Sequence, residues 1–458
     1  MKLFWVYSKL IITIISQVFI VRLSLDFLGD KEYGVWIYYL SLIGLFSFIN
    51  QSMSKSYETK LSQSKDYFGS ILFRTFWISI SVCILEIIIL SFLNFSSIEF
   101  NTFLILILYQ FFSFIIVPFR SFNVASTNLS FITISFIFEQ LVRVLILYFF
   151  IDNYFNNSID LAYLYLYTTL LALFWEILIH FCKYGKIVKK TDSIIKYNYI
   201  FNNSIGGINY ALYQHGVNIV LFSAFSPSLI AVKGVLDRFQ LAIEQFIGTL
   251  QPILTPKLSS LNKEGLNNNF LMSMKLLFLV SLFATVPLFG NTDYIFQIWL
   301  KNSPEKINYL SNFVLFFVII NSVEYPISQI VRASKFLFKY QILVSLVTIL
   351  IVPVIFTLYK LGLLVDFSQV YYVIITIYLI AYIVRFYIIK KYKIVDYTTI
   401  KKVCLFLLVH SILVCIILNI NFGESFFKIA IYRFLVLIMI LLINLTNNEF
   451  RKFLSGII

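Results

Sequence analysis

Charge is scarce in this 458-residue chain. Asp, Glu, Lys and Arg make up 13% of it, against about 25% in soluble domains. A soluble globular fold is thereby excluded, because 60% of the residues are hydrophobic and have no polar coat to cover them. Histidine is rarer still. His180, His215 and His410 are far apart and form no catalytic constellation, so the sequence points to no enzyme. The four cysteines, Cys83, Cys182, Cys404 and Cys415, lie within or beside apolar runs without metal-ligand spacing. They read as inert packing or lipid-facing residues, and no metal or other cofactor is expected. No stretch between apolar runs is long enough for a soluble domain, and no groove-entering basic helix or known module supports nucleic-acid binding despite a net charge of +14. Lys2 and Lys9 precede an apolar run as in a signal peptide, but Arg22 interrupts that run and no small-residue cleavage site follows, so it reads as a retained first helix.

What the chain has in abundance is apolar runs of membrane-spanning length. With about 20 residues per span, helices are predicted at 5–28, 33–50, 71–93, 101–120, 130–151, 160–182, 199–224, 228–255, 270–291, 309–331, 338–359, 369–390, 402–420 and 426–446. The expected fold is all-α and polytopic, with about fourteen transmembrane helices. The basic residues test that count. With a cytoplasmic N-terminus, most Lys and Arg fall in the inside segments, and the outside segments hold only Lys31, Lys301, Lys306, Lys360 and Lys428 among many acids. A missed helix would invert the alternation downstream, so both termini are expected in the cytoplasm. The abundant aromatic residues read mostly as lipid-facing and interfacial packing.

An internal repeat supports the same count. Gly34, Val35, Ile43, Phe46, Gln51 and Leu61 recur two hundred positions on as Gly234, Val235, Ile243, Phe246, Gln251 and Leu261. The expected organisation is a six-helix lobe at 1–196, a second at 197–400, and two additional helices with a short tail at 401–458. Both lobes begin on the same side, which makes the repeat a parallel one, and substrate sites in such transporters lie between the halves.

The eighth predicted helix is the unusual one. Lys233, Asp237, Gln240, Glu244 and Gln251 recur on one helical face. Each charge near the centre of a bilayer costs about 2.5–3.5 kcal/mol, so such a stripe is expected to face a bundle interior or a hydrated cavity. The second helix, its repeat partner, has Ile37 and Gly44 where this one has Asp237 and Glu244.

The turn Leu28-Gly29-Asp30-Lys31-Glu32-Tyr33-Gly34, the end of the eighth helix with Pro252 and Pro256 before Leu258-Ser259, and the two-lobed topology resemble the multidrug, oligosaccharidyl-lipid and polysaccharide exporter superfamily. Within it the chain looks like the Wzx-type O-antigen flippases, from whose twelve-helix pattern it departs by its last two helices. The resemblance implies a transporter of the bacterial inner membrane that acts in polysaccharide and lipopolysaccharide biosynthesis. Its substrate is then an undecaprenyl-pyrophosphate-linked oligosaccharide. It further implies surrounding membrane lipid, a coupling proton or sodium ion, and a polysaccharide polymerase and chain-length regulator as partners.

A pyrophosphate calls for cations, and Arg22, His215, Lys233 and Arg238 are the candidates, with Arg offering bidentate contacts and Lys a point charge. Each also has a plainer reading. Lys233 and Asp237 are four apart and fit mutual neutralisation, Arg22 lies within snorkelling reach of the outer interface, and His215 sits near Gln214 and Asn218 as a hydrogen-bonded packing residue would. Arg238 has no obvious partner on its own helix. Glu244, Glu324 and Glu86 are the coupling candidates, Glu244 first because the stripe includes it. Glu139 with Arg143, and Glu176 with His180, are four apart and read as local pairs. Two rivals remain: an ion-coupled multidrug exporter, expected to prefer an acidic aromatic cavity, and an O-antigen polymerase, which would need a long periplasmic loop where this chain has only 292–308.

Overall fold

The computed structural model describes residues 2–92, 96–126, 129–154, 157–184, 207–208, 211–250, 254, 258, 263–300, 307–332, 336–419 and 426–455. Its elements are helical, and where the fourteen predicted runs are described they fall on helix. In chain order these are α1 Lys2–Gly44, α2 Ser47–Gln63, α3 Phe68–Ser91, α4 Ser97–Ala125, α5 Leu129–Tyr154 and α6 Ser158–Tyr184. A π-helical turn Leu212–Gly216 leads into α7 Val217–Ala224, then α8 Pro227–Gly248, α9 Lys263–Thr285, α10 Thr292–Trp299, α11 Ile307–Ser322 and α12 Glu324–Arg332. The remainder are α13 Leu337–Thr348, α14 Ile351–Lys360, α15 Ser368–Lys391, α16 Tyr397–Asn419, α17 Phe426–Leu445 and α18 Asn448–Ser455. Ten spans among the described residues are long and apolar enough to cross a membrane, and the chain is a multi-pass membrane protein.

Proline sets most of the breaks that the apolar pattern conceals. Pro326 has no N–H and its ring would meet the carbonyl of Ser322, so the single helix predicted over 309–331 divides there into α11 and α12. Pro353 acts in the same way on the backbone at Ile349 and divides the run predicted over 338–359 into α13 and α14. Pro287 lies in the 3-10 turn Val286–Leu288 that closes α9. The turn expected between the first two spans is a kink within α1 at Gly29, whose φ of 71° and ψ of 167° fall in a region open almost only to glycine. The second span ends at Gly44 rather than at 50, and the polar α2 continues to Gln63.

The chain divides into two compact units, 1–235 with 355–360, and 236–354 with 361–458. The boundary thus falls inside α8, and the lobe boundary expected at 196/197 lies outside the described residues. In the first unit α4 is central and packs on α2, α3, α5 and α6. Phe68, buried completely, meets Phe119 and Phe122 edge-on at 5.4 and 5.0 Å, geometry that the ring quadrupoles favour. Ser96 and Glu99 form a capping box that starts α4, and Tyr39 of α1 donates to the same carboxylate at 3.2 Å. In the second unit α9 is central and packs on α11, α12, α16 and α17. The Arg433 guanidinium of α17 donates to the carbonyl of Phe289 just beyond α9, supplying a donor where a helix end leaves its carbonyls bare. The two additional C-terminal helices are thereby tied to the second unit.

The glycines of the repeat mark a close approach within the first unit. A Cβ on Gly34 would lie 1.8 Å from the carbonyl oxygen of Pro227, and one on Gly234 would lie 2.8 Å from Ile37. Gly34→Ala therefore forces backbone apart and is expected to cost about 3 kcal/mol or more. Gly265→Ala, with nothing within 4 Å, should be neutral or stabilise by up to about 1 kcal/mol through helix propensity. Thermal midpoints of the two variants in detergent, read by fluorescence-detected gel filtration, check the contrast.

Candidate functional site

In the first unit the polar groups collect on α1, the π-helical turn and the start of α8. Arg22 and Asp26, four residues apart on α1, approach to 3.8 Å with about a third of each side chain exposed. Arg22 therefore has a local partner on its own helix. His215 ends up against Gly44, whose missing Cβ leaves the room: a methyl there would fall 2.4 Å from the imidazole. Asn218, one turn on, donates to Ser41 Oγ at 3.0 Å. Lys233 is buried to 1% exposure with its ammonium 5.9 Å from the Tyr213 ring centroid, at the outer limit of a cation–π contact.

The second unit holds the other part of the α8 stripe. Gln240 is buried, while Asp237, Arg238 and Glu244 are half-buried. Glu244 Oε1 accepts from Gln240 Nε2 at 2.8 Å and from Asn321 Nδ2 at 3.0 Å. A cavity of about 90 Å³, lined by Glu244, Ile247, Leu277, Asn321, Ser322 and Tyr325 among others, adjoins this carboxylate. That is room for about three waters. Its polar wall exists because the Pro326 break lets Asn321 and Ser322 end one helix while Tyr325 begins the next. Among the described residues no hydrogen bond or ion pair holds the Arg238 guanidinium. Gln251 lies outside the described residues, as do Pro252 and Pro256.

Two further carboxylates complete the account of the predicted residues. Glu324, which has no partner on its own helix, receives Arg385 Nη2 of α15 at 2.8 Å. Arg385 is 3% exposed, with its guanidinium 4.7 Å from the Tyr382 ring centroid. Glu86 on α3 is equally buried, and its polar neighbour among the described residues is the amide of Gln110 on α4, which is buried as well.

A larger ionic cluster ties α4, α5 and α6 together. Arg120 bridges Glu139 at 2.7 Å and Glu176 at 3.4 Å, Arg143 reaches Glu139 at 3.2 Å, and Asn123 donates to Glu176 at 3.1 Å. Sequence reasoning found the Glu139 and Arg143 pair but ended the fourth span at 120, whereas α4 continues through Pro118 and past Arg120 to Ala125. Arg385, Asn321 and Arg120 are among the polar residues that the sequence did not single out as site candidates. His180 stacks on Phe68 at 4.4 Å and adds no charge to the cluster's pairing.

No family profile and no curated protein matches this sequence. Solved structures do match. The lipid II flippase MurJ in an inward-closed conformation is similar over 95% of this chain and 99% of its own, with 16% identity and a TM-score of 0.68. The chain has the fold of these transporters. An inward-facing multidrug resistance MATE transporter of the MOP superfamily matches 81% of this chain and 92% of its own, with 12% identity and a TM-score of 0.62. A MATE in complex with MaD3S matches 84% and 94%, with 12% identity and a TM-score of 0.61.

The Glu324–Arg385 pair in the second unit, with Arg385 buried and about a third of the Glu324 side chain exposed, gives a direct test. Glu324→Leu leaves the buried Arg385 charged and without its carboxylate, and is expected to destabilise by about 1–3 kcal/mol. Glu324→Leu combined with Arg385→Met should recover most of that loss. Unfolding midpoints of wild type, both single variants and the double variant measure the coupling.

Proposed function

We propose that this protein is a flippase of the bacterial inner membrane. It carries undecaprenyl-pyrophosphate-linked O-antigen or polysaccharide repeat units from the cytoplasmic to the periplasmic leaflet by alternating access, with both termini in the cytoplasm. The observation that carries the reading is the extent of the fold match: it takes in nearly all of this chain and of a lipid II flippase, a protein that handles a lipid-linked substrate. Only about 5% of this chain stays outside that match, which is less than the combined length of α16 and α17, so the match includes part of this pair. Matches to the multidrug transporters leave 16–19% outside.

The chemistry of the side chains supports the same reading. Arg238 is half-buried on α8 with its guanidinium uncommitted among the described residues, suited to bidentate contact with a phosphate. Lys233, His215 and Arg22 are further candidate cationic or donor groups, and Asp237, Gln240 and Gln251 belong to the polar stripe read in the sequence. Glu244, with its small polar cavity, is the proposed coupling carboxylate for a proton or sodium ion, and Glu324 and Glu86 are secondary candidates. A polymerase and a chain-length regulator would take up the flipped repeat units. The second reading is an ion-coupled multidrug exporter, favoured by the MATE matches.

Reconstitution in proteoliposomes separates the two. With a fluorescent undecaprenyl-pyrophosphate oligosaccharide, wild type should transfer the lipid between leaflets, and Arg238→Ala should slow transfer at least tenfold while inserting normally. Glu244→Gln should abolish acceleration by an imposed ion gradient. Unchanged lipid transfer by Arg238→Ala would remove its assigned role, and cationic-drug uptake without lipid transfer would replace the flippase reading with the exporter one.

A further inference from the structure

The second unit gathers basic side chains at one end. Asn267 near the start of α9 accepts from the backbone N–H of Asp396 at 3.0 Å, which fixes the α15 to α16 turn beside that end of α9. The turn is bracketed by the exposed lysines Lys390 and Lys391 on α15 and Lys401 and Lys402 on α16. The last helix, α18, packs on α9 and α17. Lys275 of α9 lies within electrostatic reach of both Lys402 and Glu449.

α18 is built to lie on a surface rather than to cross one. It is only eight residues long, too short to span a bilayer. Asn447 Oδ1 caps it, accepting from the backbone N–H groups of Glu449 at 2.9 Å and Phe450 at 3.1 Å, so it starts afresh after α17. Phe450 and Phe453, three apart, are buried against the protein. Arg451 and Lys452 fall on the opposite face and are exposed. Its apolar side is already occupied by the protein, and its exposed residues include Arg451, which also donates to Asn448 Oδ1 at 2.6 Å, Lys452 and one acid, Glu449.

We infer that this end of the second unit, with Lys401, Lys402, Arg451 and Lys452 at its centre, binds the headgroups of anionic phospholipids, and that α18 rests along the headgroup layer. The partner follows from charge and position. Exposed cations adjoining the ends of spans sit at headgroup level, and juxtamembrane basic clusters on short amphipathic helices attract anionic lipid. The attraction extends about 8 Å at physiological ionic strength, so cations brought together from three helices act jointly on one or a few lipids. The inference is independent of the transported substrate, because it concerns lipid at the perimeter and uses none of the residues assigned to transport.

Native mass spectrometry of the full-length protein in detergent tests this, with dioleoyl phosphatidylglycerol as probe and dioleoyl phosphatidylcholine as the zwitterionic control. Wild type should retain at least fivefold more phosphatidylglycerol than phosphatidylcholine. A variant carrying Lys401→Glu, Lys402→Glu, Arg451→Glu and Lys452→Glu should retain the two lipids equally. All four positions are exposed, and a matching Gln variant with an unchanged gel-filtration profile and an intermediate preference would separate charge from folding. Undiminished phosphatidylglycerol retention in the folded Glu variant overturns the inference, as does a wild type that does not distinguish the two lipids. Displacement of the bound lipid by millimolar inorganic pyrophosphate, with no preference left among lipids, would assign the patch to free phosphate anions and overturn it as well.

Discussion

A bilayer offers no water to a charged side chain, and the arrangement of this protein depends on that constraint. Each ionisable residue placed within a span needs a partner, a route to the interface, or a polar cavity. Arg120, Glu139, Arg143 and Glu176 answer the demand together, since two guanidiniums and two carboxylates on three helices neutralise one another and fix α4 against α5 and α6. Glu324 and Arg385 do so as a pair between α12 and α15. Largely buried ion pairs add little net stability over well-packed apolar residues, but losing the partner of a buried charge such as Arg385 is costly. They therefore specify which helices meet more than they strengthen the fold.

Against that background the unmatched groups acquire meaning. Arg238 has no committed partner among the described residues. Glu244 is held by neutral amides beside a small cavity, and Glu86 is buried beside the neutral amide of Gln110, with no ion pair among the described residues. On the proposed function, the substrate or ion supplies the compensation that these groups lack. In the reading proposed here, Arg238 waits for a phosphate and Glu244 for a cation.

The order of helices was legible in the sequence because length, hydropathy and the distribution of Lys and Arg are each imposed directly by the membrane. The breaks at Ser322 and Ile349 were less legible. Pro326 and Pro353 lie in runs apolar enough to read as single spans, and only the steric demand on the carbonyl four residues back divides them. Partners across helices were not legible at all. The four-residue spacing revealed Glu139 with Arg143, but nothing local announces that Arg120, nineteen residues earlier, completes that cluster, or that Arg385 meets Glu324. Gly34 and Gly234 were visible as a repeat, while their role came only with the carbonyl of Pro227 and the side chain of Ile37 packed against them.

The account stands or falls on which leaflet holds the substrate when the protein is missing. In a deletion strain, lipid-linked repeat units should accumulate on the cytoplasmic leaflet, protected from an impermeant glycan-modifying reagent added to spheroplasts, with surface polysaccharide lost. Accumulation on the periplasmic leaflet, accessible to that reagent, would contradict the account and assign the protein to a step after translocation.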